Sequence, residues 1–274
     1  MTENKDERVA PVLAVLDGIG EIAIAVSGGV DSMTLAFLAH RRLPGKATMF
    51  HATSPAVPRE AGARVRRYAD RHGWDLHVIS AGEFDDPEYR RNPVNRCYFC
   101  KTNLYRAIVF HTHATISSGT NLDDLGDFRP GLRAAAEYGV RHPWVEAGID
   151  KRGVRAIARS FRLDDLAELP AAPCLSSRLE TGIAVSAPAL DFVYRVERLI
   201  CEEINPKTVR CRLRHEGTAV ELDPGSLTQL LSEEGAALRA AVTRLSERHG
   251  YGGEVRFEPY RMGSAFRRSQ HHGR

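Results

Sequence analysis

The hydrophobic pattern of the first two-thirds of the chain alternates between two periods. Residues 22–26 form an unbroken apolar run, followed by two glycines and then by apolar positions at helical spacing over 31–42. A short apolar run bounded by turn residues predicts a buried strand, and the spacing after it predicts a helix. The same alternation predicts further strands at 47–53, 75–80, 115–118 and 140–145, and helices at 58–72, 98–113, 132–138 and 151–161.

Strands separated by helices of this length form a parallel sheet with right-handed crossovers. We therefore predict a doubly wound α/β domain over residues 10–180, whose ligand lies beyond the carboxyl ends of the strands. A proline-rich turn at 170–173 precedes its end. Beyond it the pattern predicts a smaller α+β domain for substrate binding or oligomerisation over residues 181–266. Its predicted helices are at 187–204 and 226–249, and its predicted strands are at 207–214, 218–222 and 254–260.

The composition is that of an ordinary globular protein. Of the 274 residues, 43% are hydrophobic and 27% are charged, and no apolar run approaches the roughly 18 residues of a membrane span. The net charge of +3 is weak for an obligate nucleic-acid binder, so neither nucleic acid nor a membrane is an expected partner. Five cysteines, an odd number, without an export signal predict reduced thiols and a cytoplasmic protein.

The strongest local motif is SGGVDS (residues 27–32), between the first strand and the first helix. Gly28 and Gly29 allow a sharp turn that brings backbone N–H groups against an anion, and the following helix directs its positive end to the same place. Ser27 and Ser32 add hydroxyl donors. Because the lysine of the Walker A loop is absent, the motif predicts a phosphate-binding loop of another kind.

This hexapeptide resembles the pyrophosphate loop of the PP-loop ATP pyrophosphatase superfamily, whose members split ATP between its α and β phosphates and adenylate a substrate. Three further stretches narrow the resemblance: residues 119–140 (GTNLDDLGDFRPGLRAAAEYGV), 170–178 (PAAPCLSSR) and 258–264 (EPYRMGS). Together they resemble the LarE type, ATP-dependent sulfur transferases that mature the nickel-pincer nucleotide of lactate racemase. The resemblance extends from about residue 10 to residue 266 and implies the fold of the adenine nucleotide alpha hydrolases.

The resemblance implies that ATP, with Mg²⁺ on its phosphates, activates a carboxylate that sulfur would otherwise not attack. Transfer of AMP removes the carboxylate's charge and supplies a leaving group. Asp31, Asp124 and Asp127 are candidates to support the cation or position the nucleotide, and the end of the second strand would meet the adenine. The expected nucleotide site comprises Ser27, Gly28, Gly29, Asp31, Ser32, Ala52, Ser54, Gly119, Asp124 and Asp127.

Three cysteines bear on the transfer of sulfur. Cys97 and Cys100 form a C-x-x-C at the start of a predicted helix, and Cys174 lies in the turn that follows Pro173. From the residues alone, the C-x-x-C fits half of a zinc site, a redox pair or a cluster site. Zinc needs four ligands, and the other two cysteines, at 201 and 211, are predicted core thiols. Three cysteines suit a [4Fe–4S] cluster with one iron left open.

The resemblance also implies a role for these cysteines. Some LarE-type proteins have one cysteine at the position of Cys174, which gives up its own sulfur and becomes dehydroalanine. Others add the C-x-x-C and hold a [4Fe–4S] cluster that carries the transferable sulfide. Since this chain has the three-cysteine pattern, Cys97, Cys100 and Cys174 are expected to hold a cluster and to be catalytic. The sacrificial route is the alternative, and the source of sulfide stays open.

Anionic groups of the acceptor are expected to meet a second set of residues. The hydroxyl of Ser177 and the guanidinium of Arg178 suit phosphate, and Arg212 and Arg214 alternate along a predicted strand and so share a face. The resemblance implies a small pyridinium biscarboxylate mononucleotide as the substrate, and a homo-oligomer as the assembly. The expected substrate residues are Ser177, Arg178, Glu197, Arg212, Arg214 and Arg261.

Two other functions fit part of the pattern. A cluster-dependent tRNA thiolase of the same superfamily would share the loop and the cysteines. The small net charge, the absence of an RNA-binding appendage and Val30, where such thiolases usually have lysine, argue against it. A nucleotide-binding regulator without turnover would not need three spaced cysteines beside an intact loop.

Overall fold

The computed structural model describes residues 7–126 and 129–265 and divides the chain into two compact units. The first comprises the chain up to Glu83 together with Cys97–Ala172, and the second comprises Phe84–Arg96 together with the chain from Pro173 onward. Two segments that the sequence analysis assigned to the first domain, 84–96 and 173–180, belong to the second unit. Buried side chains of the first segment bond to residues 176–180 of the second. Asp127 and residue 266 lie outside the described residues.

The secondary structure follows the expected alternation over most of the described chain. The strands are β1 (Ile22–Ala25), β2 (Ala47–Ala52), β3 (Asp75–Ile79), β4 (Thr115–Ser118), β5 (Val209–Arg214), β6 (Gly217–Leu222) and β7 (Arg256–Pro259). The helices are α1 (Val9–Ile19), α2 (Val30–Arg42), α3 (Arg59–His72), α4 (Pro87–Arg90), α5 (Arg96–His111), α6 (Pro130–Glu137), α7 (Pro143–Glu146), α8 (Lys151–Ser160), α9 (Asp164–Ala167), α10 (Ala187–Ile204), α11 (Pro224–Leu231) and α12 (Ala236–Arg248).

The first unit is built on a parallel four-stranded sheet of order β3-β2-β1-β4. Side chains of β1 alternate between its faces, so Ile22 and Ile24 join a core with α1, α2, α3 and α8, while Ala23 and Ala25 join one with α5 and α6. Helices on both faces confirm the predicted doubly wound α/β fold. The order reverses between β1 and β4, and ligands of such sheets bind beyond the carboxyl ends of the strands at that point.

One predicted strand of the first unit is wrong. Residues 140–145 contribute a single parallel bridge, Ser117 to Arg141, and the chain then turns into α7. Pro143 has no N–H for a strand ladder but suits the first position of a helix. Trp144 is fully buried and donates its Nε1 hydrogen to the Asp31 carbonyl at 3.1 Å, which fixes this helical turn beside α2.

The second unit contains a three-stranded sheet of order β5-β6-β7, antiparallel between β5 and β6 and parallel between β6 and β7. The predicted long helix at 226–249 is two helices, α11 and α12. Gly235 explains the break, because a Cβ there would lie 2.1 Å from the Leu230 carbonyl oxygen. The chain therefore turns at a glycine in close backbone contact.

Candidate active site

The SGGVDS turn follows β1 at the carboxyl edge of the first sheet. Gly28 has φ +84°, and a Cβ on it would lie 2.8 Å from the Ala61 carbonyl oxygen, so glycine is required there. Ser32 Oγ accepts a hydrogen bond from the Ser27 N–H at 3.1 Å and lies 3.1 Å from Ser27 Oγ. The two serines thereby tie the ends of the turn together.

The turn leads directly into α2, whose N-terminal N–H groups are oriented toward it. The N-cap residue is Gly29, and no side chain caps the helix there. The first N–H groups of a helix have no partner within the helix and carry its positive partial charge. This terminus is thus suited to an anion, as the sequence predicts.

The end of β4 packs directly on the first turn of α2. A Cβ on Gly119 would lie 2.6 Å from the Ser32 backbone nitrogen. Two residues further on, Asn121 Nδ2 donates to Asp31 Oδ1 at 3.2 Å. The structure therefore brings Gly119, Asp31 and Ser32 together at the crevice between β1 and β4.

Lys151 is a residue of this crevice that the sequence analysis missed. Its ammonium group bonds to Asp31 Oδ2, and its own N–H donates to Asp123 Oδ2 at 3.1 Å. Lys151 is the first residue of α8. A lysine far along the chain gives no local signal, and only the tertiary fold brings it to the turn.

The remaining predicted nucleotide residues lie at the same edge of the sheet. Asp124 pairs with Arg129 at 2.7 Å and accepts the Asn121 N–H at 3.1 Å. Ala52 ends β2, and Ser54 Oγ accepts the N–H of residue 56 at 3.3 Å. The prediction for Asp127 falls outside the described residues.

Arg64 of α3 is a second cation that the sequence analysis missed. Its Nη1 donates to the Gly28 carbonyl at 2.8 Å and so holds the glycine turn from the side of α3. Burial, and next the neighbouring Arg67, lower the pKa of Arg64. A cation disfavoured by burial and by another cation would be stabilised by a bound anion.

The C-x-x-C lies at the start of α5. Cys97 is exposed and Cys100 half-buried, and neither is in a disulfide. A Cβ on Gly131 would lie 3.0 Å from the Lys101 side chain and 3.5 Å from the Cys97 carbonyl oxygen. The start of α5 therefore packs against the segment that begins with Arg129, the partner of Asp124, within the first unit.

Cys174 is exposed in the second unit and immediately precedes a short 3₁₀ turn, Leu175–Arg178. Arg178, a buried residue, donates Nε and Nη2 to Glu197 at 2.9 Å each. Its Nη1 donates to the Pro173 and Cys174 carbonyls at 2.6 and 3.2 Å and to Ser177 Oγ at 3.1 Å. This arrangement favours a positioning role for Arg178, because its donors face protein acceptors.

Charge is tightly balanced around Arg178. Burial opposes its positive charge, but the Glu197 carboxylate outweighs that cost and raises the pKa of Arg178. Glu197 Oε1 also accepts the Cys211 N–H at 2.9 Å, which links α10 to β5. Burial raises the pKa of the Cys211 thiol, so Cys211 is a core thiol, as predicted.

Arg212 and Arg214 both contact Glu221, which is fully buried on β6. Arg212 Nε lies 3.0 Å from Glu221 Oε2 and Arg214 Nη2 lies 2.8 Å from Glu221 Oε1, so the two arginines share a face as their alternation predicts. Arg212 Nη1 donates to the Ser177 carbonyl at 2.9 Å. Both predicted substrate arginines thus have carboxylate partners within the unit.

Arg214 and Arg261 line a cavity of about 420 Å³ in the second unit. Three glutamates line it with them, Glu180, Glu216 and Glu258, and Arg214 pairs with Glu258 at 2.5 Å. The lining therefore presents both signs of charge.

Arg210 shares the alternation of Arg212 and Arg214 but is not among the predicted substrate residues. Burial, and next the nearby Arg178, lower the pKa of Arg210. A guanidinium in such surroundings is a favourable partner for a bound anion. The alternating arginines along β5 were the sequence signal that could have included it.

Two kinds of feature are absent from the described part of the chain. Across residues 7–126 and 129–265, no three or more His, Cys, Asp or Glu side chains are grouped so that they could hold a metal ion. In the same ranges, no helix has the length and apolar character needed to span a bilayer.

The parallel sheet and its glycine turn at the β1–β4 crevice place the first unit in the PP-loop class of nucleotide-binding folds. No family model matches the chain. An uncharacterised protein of Synechocystis sp. is 33% identical over 237 residues, which cover 85% of this chain and 87% of that protein. The pyridinium-3,5-bisthiocarboxylic acid mononucleotide synthase of Lactiplantibacillus plantarum is 25% identical over 227 residues, 81% of this chain and 82% of the synthase. These matches place the chain in the LarE family.

A shorter match agrees with the class of fold. One component of the glutamine-hydrolysing GMP synthase of Thermococcus kodakarensis is 33% identical over 107 residues, 36% of this chain and 35% of that component.

Proposed function

We propose that the protein uses ATP to adenylate a carboxylate of a small pyridinium biscarboxylate mononucleotide and then converts it to a thiocarboxylate. The name of the Lactiplantibacillus plantarum relative, a pyridinium-3,5-bisthiocarboxylic acid mononucleotide synthase, supports this substrate class. The observation that carries the proposal is the glycine turn, with its uncapped helix terminus and flanking cations, at the crevice of the parallel sheet. A cytoplasmic location and a homo-oligomer belong to the same proposal.

In the first step, a carboxylate oxygen of the acceptor attacks the α-phosphorus of ATP, and the bond to the β-phosphate breaks with release of pyrophosphate. Negative charge develops on the departing pyrophosphate. The N–H groups of the turn, the terminus of α2, Arg64 and Lys151 are the donors available to stabilise that charge. Asp31 and Asp124 would support Mg²⁺ on the phosphates.

In the second step, a sulfur attacks the acyl carbon, the bond to AMP breaks, and AMP leaves. We propose that Cys97, Cys100 and Cys174 hold a [4Fe–4S] cluster that supplies this sulfur as sulfide when it is bound. The three cysteines are not grouped as a metal site in the described residues, so the proposal rests on the type of donor: all three are outside disulfides and none of the three is fully buried. Three thiolates suit a cluster with one open iron.

Binding of the acceptor is assigned to the second unit. Arg210 lies on β5 in alternation with Arg212 and Arg214. Burial and the neighbouring Arg178 lower the pKa of Arg210, so a bound anion would stabilise its guanidinium. Arg214 and Arg261, with the glutamates of the same cavity, would serve an acceptor that carries both a cationic ring and anionic groups. Arg210→Ala should therefore raise the KM for the acceptor and leave the Kd for ATP unchanged, whereas equal losses of both would contradict the assignment.

The deciding experiment is anaerobic purification with iron and sulfide analysis, followed by turnover with ATP and pyridinium biscarboxylate mononucleotide. We expect release of pyrophosphate and AMP, gain of sulfur by the acceptor, and charge-transfer absorption of the bound cluster. Cys174→Ser should abolish sulfur transfer but leave adenylation measurable as pyrophosphate release.

Mass spectrometry of the protein after turnover distinguishes the two sulfur sources. If a protein without iron loses about 34 Da from Cys174, the mass of hydrogen sulfide, the sulfur comes from Cys174 itself and not from a cluster. Absence of pyrophosphate release with every carboxylate acceptor would contradict the activity itself. Copurifying RNA would favour the tRNA thiolase instead.

A further inference from the structure

Three arginines of the second unit converge on the backbone around Cys174. Arg178 donates to the carbonyls of residues 173 and 174, Arg96 to the carbonyl of Ser176 at 2.8 Å, and Arg212 to that of Ser177 at 2.9 Å. All three arginines are buried. Four carbonyls of five consecutive residues are therefore held by guanidinium groups from outside the turn or from its end.

Each guanidinium is in turn oriented by a second side chain. Glu197 binds Arg178 through two hydrogen bonds, and Glu221 binds Arg212. Arg96 has a neutral partner, because its Nη1 donates to Asn92 Oδ1 at 2.5 Å. A guanidinium that is already bonded to a second side chain loses little further conformational freedom when it also bonds a backbone carbonyl.

Asn92 is shaped for this contact. It is 2% exposed and has φ +53°, a left-handed conformation that asparagine adopts more readily than most residues. Its Nδ2 donates to the Glu180 carbonyl at 2.8 Å, and its own carbonyl accepts the Gly182 N–H at 2.9 Å. Tyr89, also fully buried, lies 2.8 Å from Ser176 Oγ through its hydroxyl.

This degree of fixation is unusual around an exposed residue. Cys174 is exposed, and exposed turns usually have backbone groups hydrated by water. Here buried guanidinium groups take the place of water as donors to the carbonyls of the turn, while Cys174 itself stays exposed to solvent. A turn built to carry a mobile surface cysteine would not need three guanidinium groups.

We propose that Arg96, Arg178 and Arg212, the arginine brace, position Cys174 for sulfur transfer by holding residues 173–177 in one conformation. The inference rests on the proposed function for the role of Cys174. Arg96 also directly precedes Cys97 in the chain, so the residue that holds the Ser176 carbonyl adjoins the C-x-x-C. These arginines are positioning residues, since they act through the turn and not on the substrate.

Arg96 is the arginine to test, because the two hydrogen bonds described above go to neutral oxygens, those of the Asn92 amide and the Ser176 carbonyl. The variants are Arg96→Met, Arg96→Lys, and Arg91→Met as the control, an exposed arginine of the same segment whose side chain is 72% exposed. Hydrogen exchange of the Ser177 and Leu179 amides, both bonded within the turn, reports its opening. We expect Arg96→Met to accelerate this exchange about tenfold, Arg96→Lys to recover part of the protection, and Arg91→Met to match the wild type.

Iron and sulfide content after anaerobic reconstitution, with the absorption spectrum, is the readout that general destabilisation would not move. Arg96→Met should retain less than half of the wild-type iron. Val242→Ala, a truncation of a fully buried residue of α12, should lower the melting temperature and keep the full cluster signal.

The outcomes separate the brace from the cluster. The brace would be overturned if the Ser177 and Leu179 amides of Arg96→Met exchange at the wild-type rate. It would also be overturned if they exchange faster but the iron content stays at the wild-type level. A wild-type protein without iron would overturn the cluster, and the brace would then stand on the exchange data and on a changed alkylation rate of Cys174. Should Arg96→Met fail to fold, the comparison of Arg96→Lys with Arg91→Lys carries the same test.

Discussion

The glycine turn of the first unit and the Cys174 turn of the second reach a fixed conformation by opposite means. In the glycine turn the backbone itself packs against backbone, at Gly28 against residue 61 and at Gly119 against Ser32. The Cys174 turn has no glycine, and buried guanidinium groups hold its carbonyls, two of them from distant positions in the chain and one from the end of the turn. The glycine turn is expected to lose its conformation when a Cβ is added to a glycine, and the Cys174 turn when an arginine side chain is removed.

The difference suits what each turn must do. A phosphate group is recognised by N–H groups pointing at one place, and side chains there would only obstruct it. A reactive thiol must instead project from the surface while its backbone keeps one conformation, which requires hydrogen bonds to that backbone from the protein interior. The two modes of support make distinct predictions for substitution.

The largest effect is expected at Gly28. Gly28→Ala combines a left-handed backbone with a Cβ 2.8 Å from a carbonyl oxygen, and we expect about 4 kcal/mol of lost stability together with loss of ATP binding. Urea unfolding and calorimetric titration with ATP measure the two. Gly82→Ala, at φ +72° in open space, should cost only about 1 kcal/mol and keep ATP binding. Similar costs at both positions would show that backbone conformation alone matters, not close packing.

The next largest effect is expected when Arg178 is removed. Arg178→Met leaves the Glu197 carboxylate in a site where its side chain is only 12% exposed, which should cost about 3 kcal/mol or more. Arg178→Met combined with Glu197→Met should cost less than the single change, because no charge is left without a partner. A double-mutant cycle from urea unfolding measures this, and an additive double variant would contradict the pairing.

The two turns also differ in how far the sequence predicts them. The glycine turn is contiguous in the chain, and two adjacent glycines between a buried strand and a helix are a pattern that few other local structures require. The parallel sheet is equally readable, since β1 is one apolar run and the helices between strands dictate crossovers. The parallel sheet and the position of the turn between β1 and α2 are confirmed by the fold, whereas phosphate binding at the turn stays a prediction.

Long-range contacts are what the sequence does not reveal. Lys151 reaches Asp31 from 120 residues away, and Arg96 reaches the Ser176 carbonyl across 80. Neither has a local pattern, because a buried arginine and a surface arginine look alike in one sequence. The predicted strand at 140–145 failed for a related reason, since Pro143 and the burial of Trp144 outweighed the β-propensity of the apolar run.

A smaller effect is expected for Lys151, which supports the glycine turn through charge and not through packing. Its ion pair with Asp31 is partly exposed, so Lys151→Met should cost at most about 1 kcal/mol of stability. We expect the affinity for MgATP to fall about tenfold, because a cation beside the phosphates is lost. Calorimetric titration checks this, with Lys46→Met as the control at an exposed lysine. An affinity within twofold of the wild type would remove Lys151 from the nucleotide site.

The smallest effect concerns acid, and it is expected in the first unit. Burial lowers the pKa of His51, His72 and His142, so each stays neutral in the folded state at a pH where the unfolded chain, with a pKa near 6.5, is protonated. The stability that this neutrality permits is fully present above about pH 6.5 and is lost as the pH falls below it, by at most about 1.4 kcal/mol per pH unit for each histidine. His51 is the clearest case, since its Nδ1 lies 2.8 Å from the Val26 carbonyl, directly before the glycine turn. His51→Gln should therefore reduce the fall in unfolding free energy between pH 6.5 and 5.5, measured with urea, whereas His113→Gln, at an exposed position, should not. An unchanged pH dependence in His51→Gln would mean that other groups cause the loss of stability in acid. It would also mean that protonation of His51 does not disturb the backbone packing of the glycine turn.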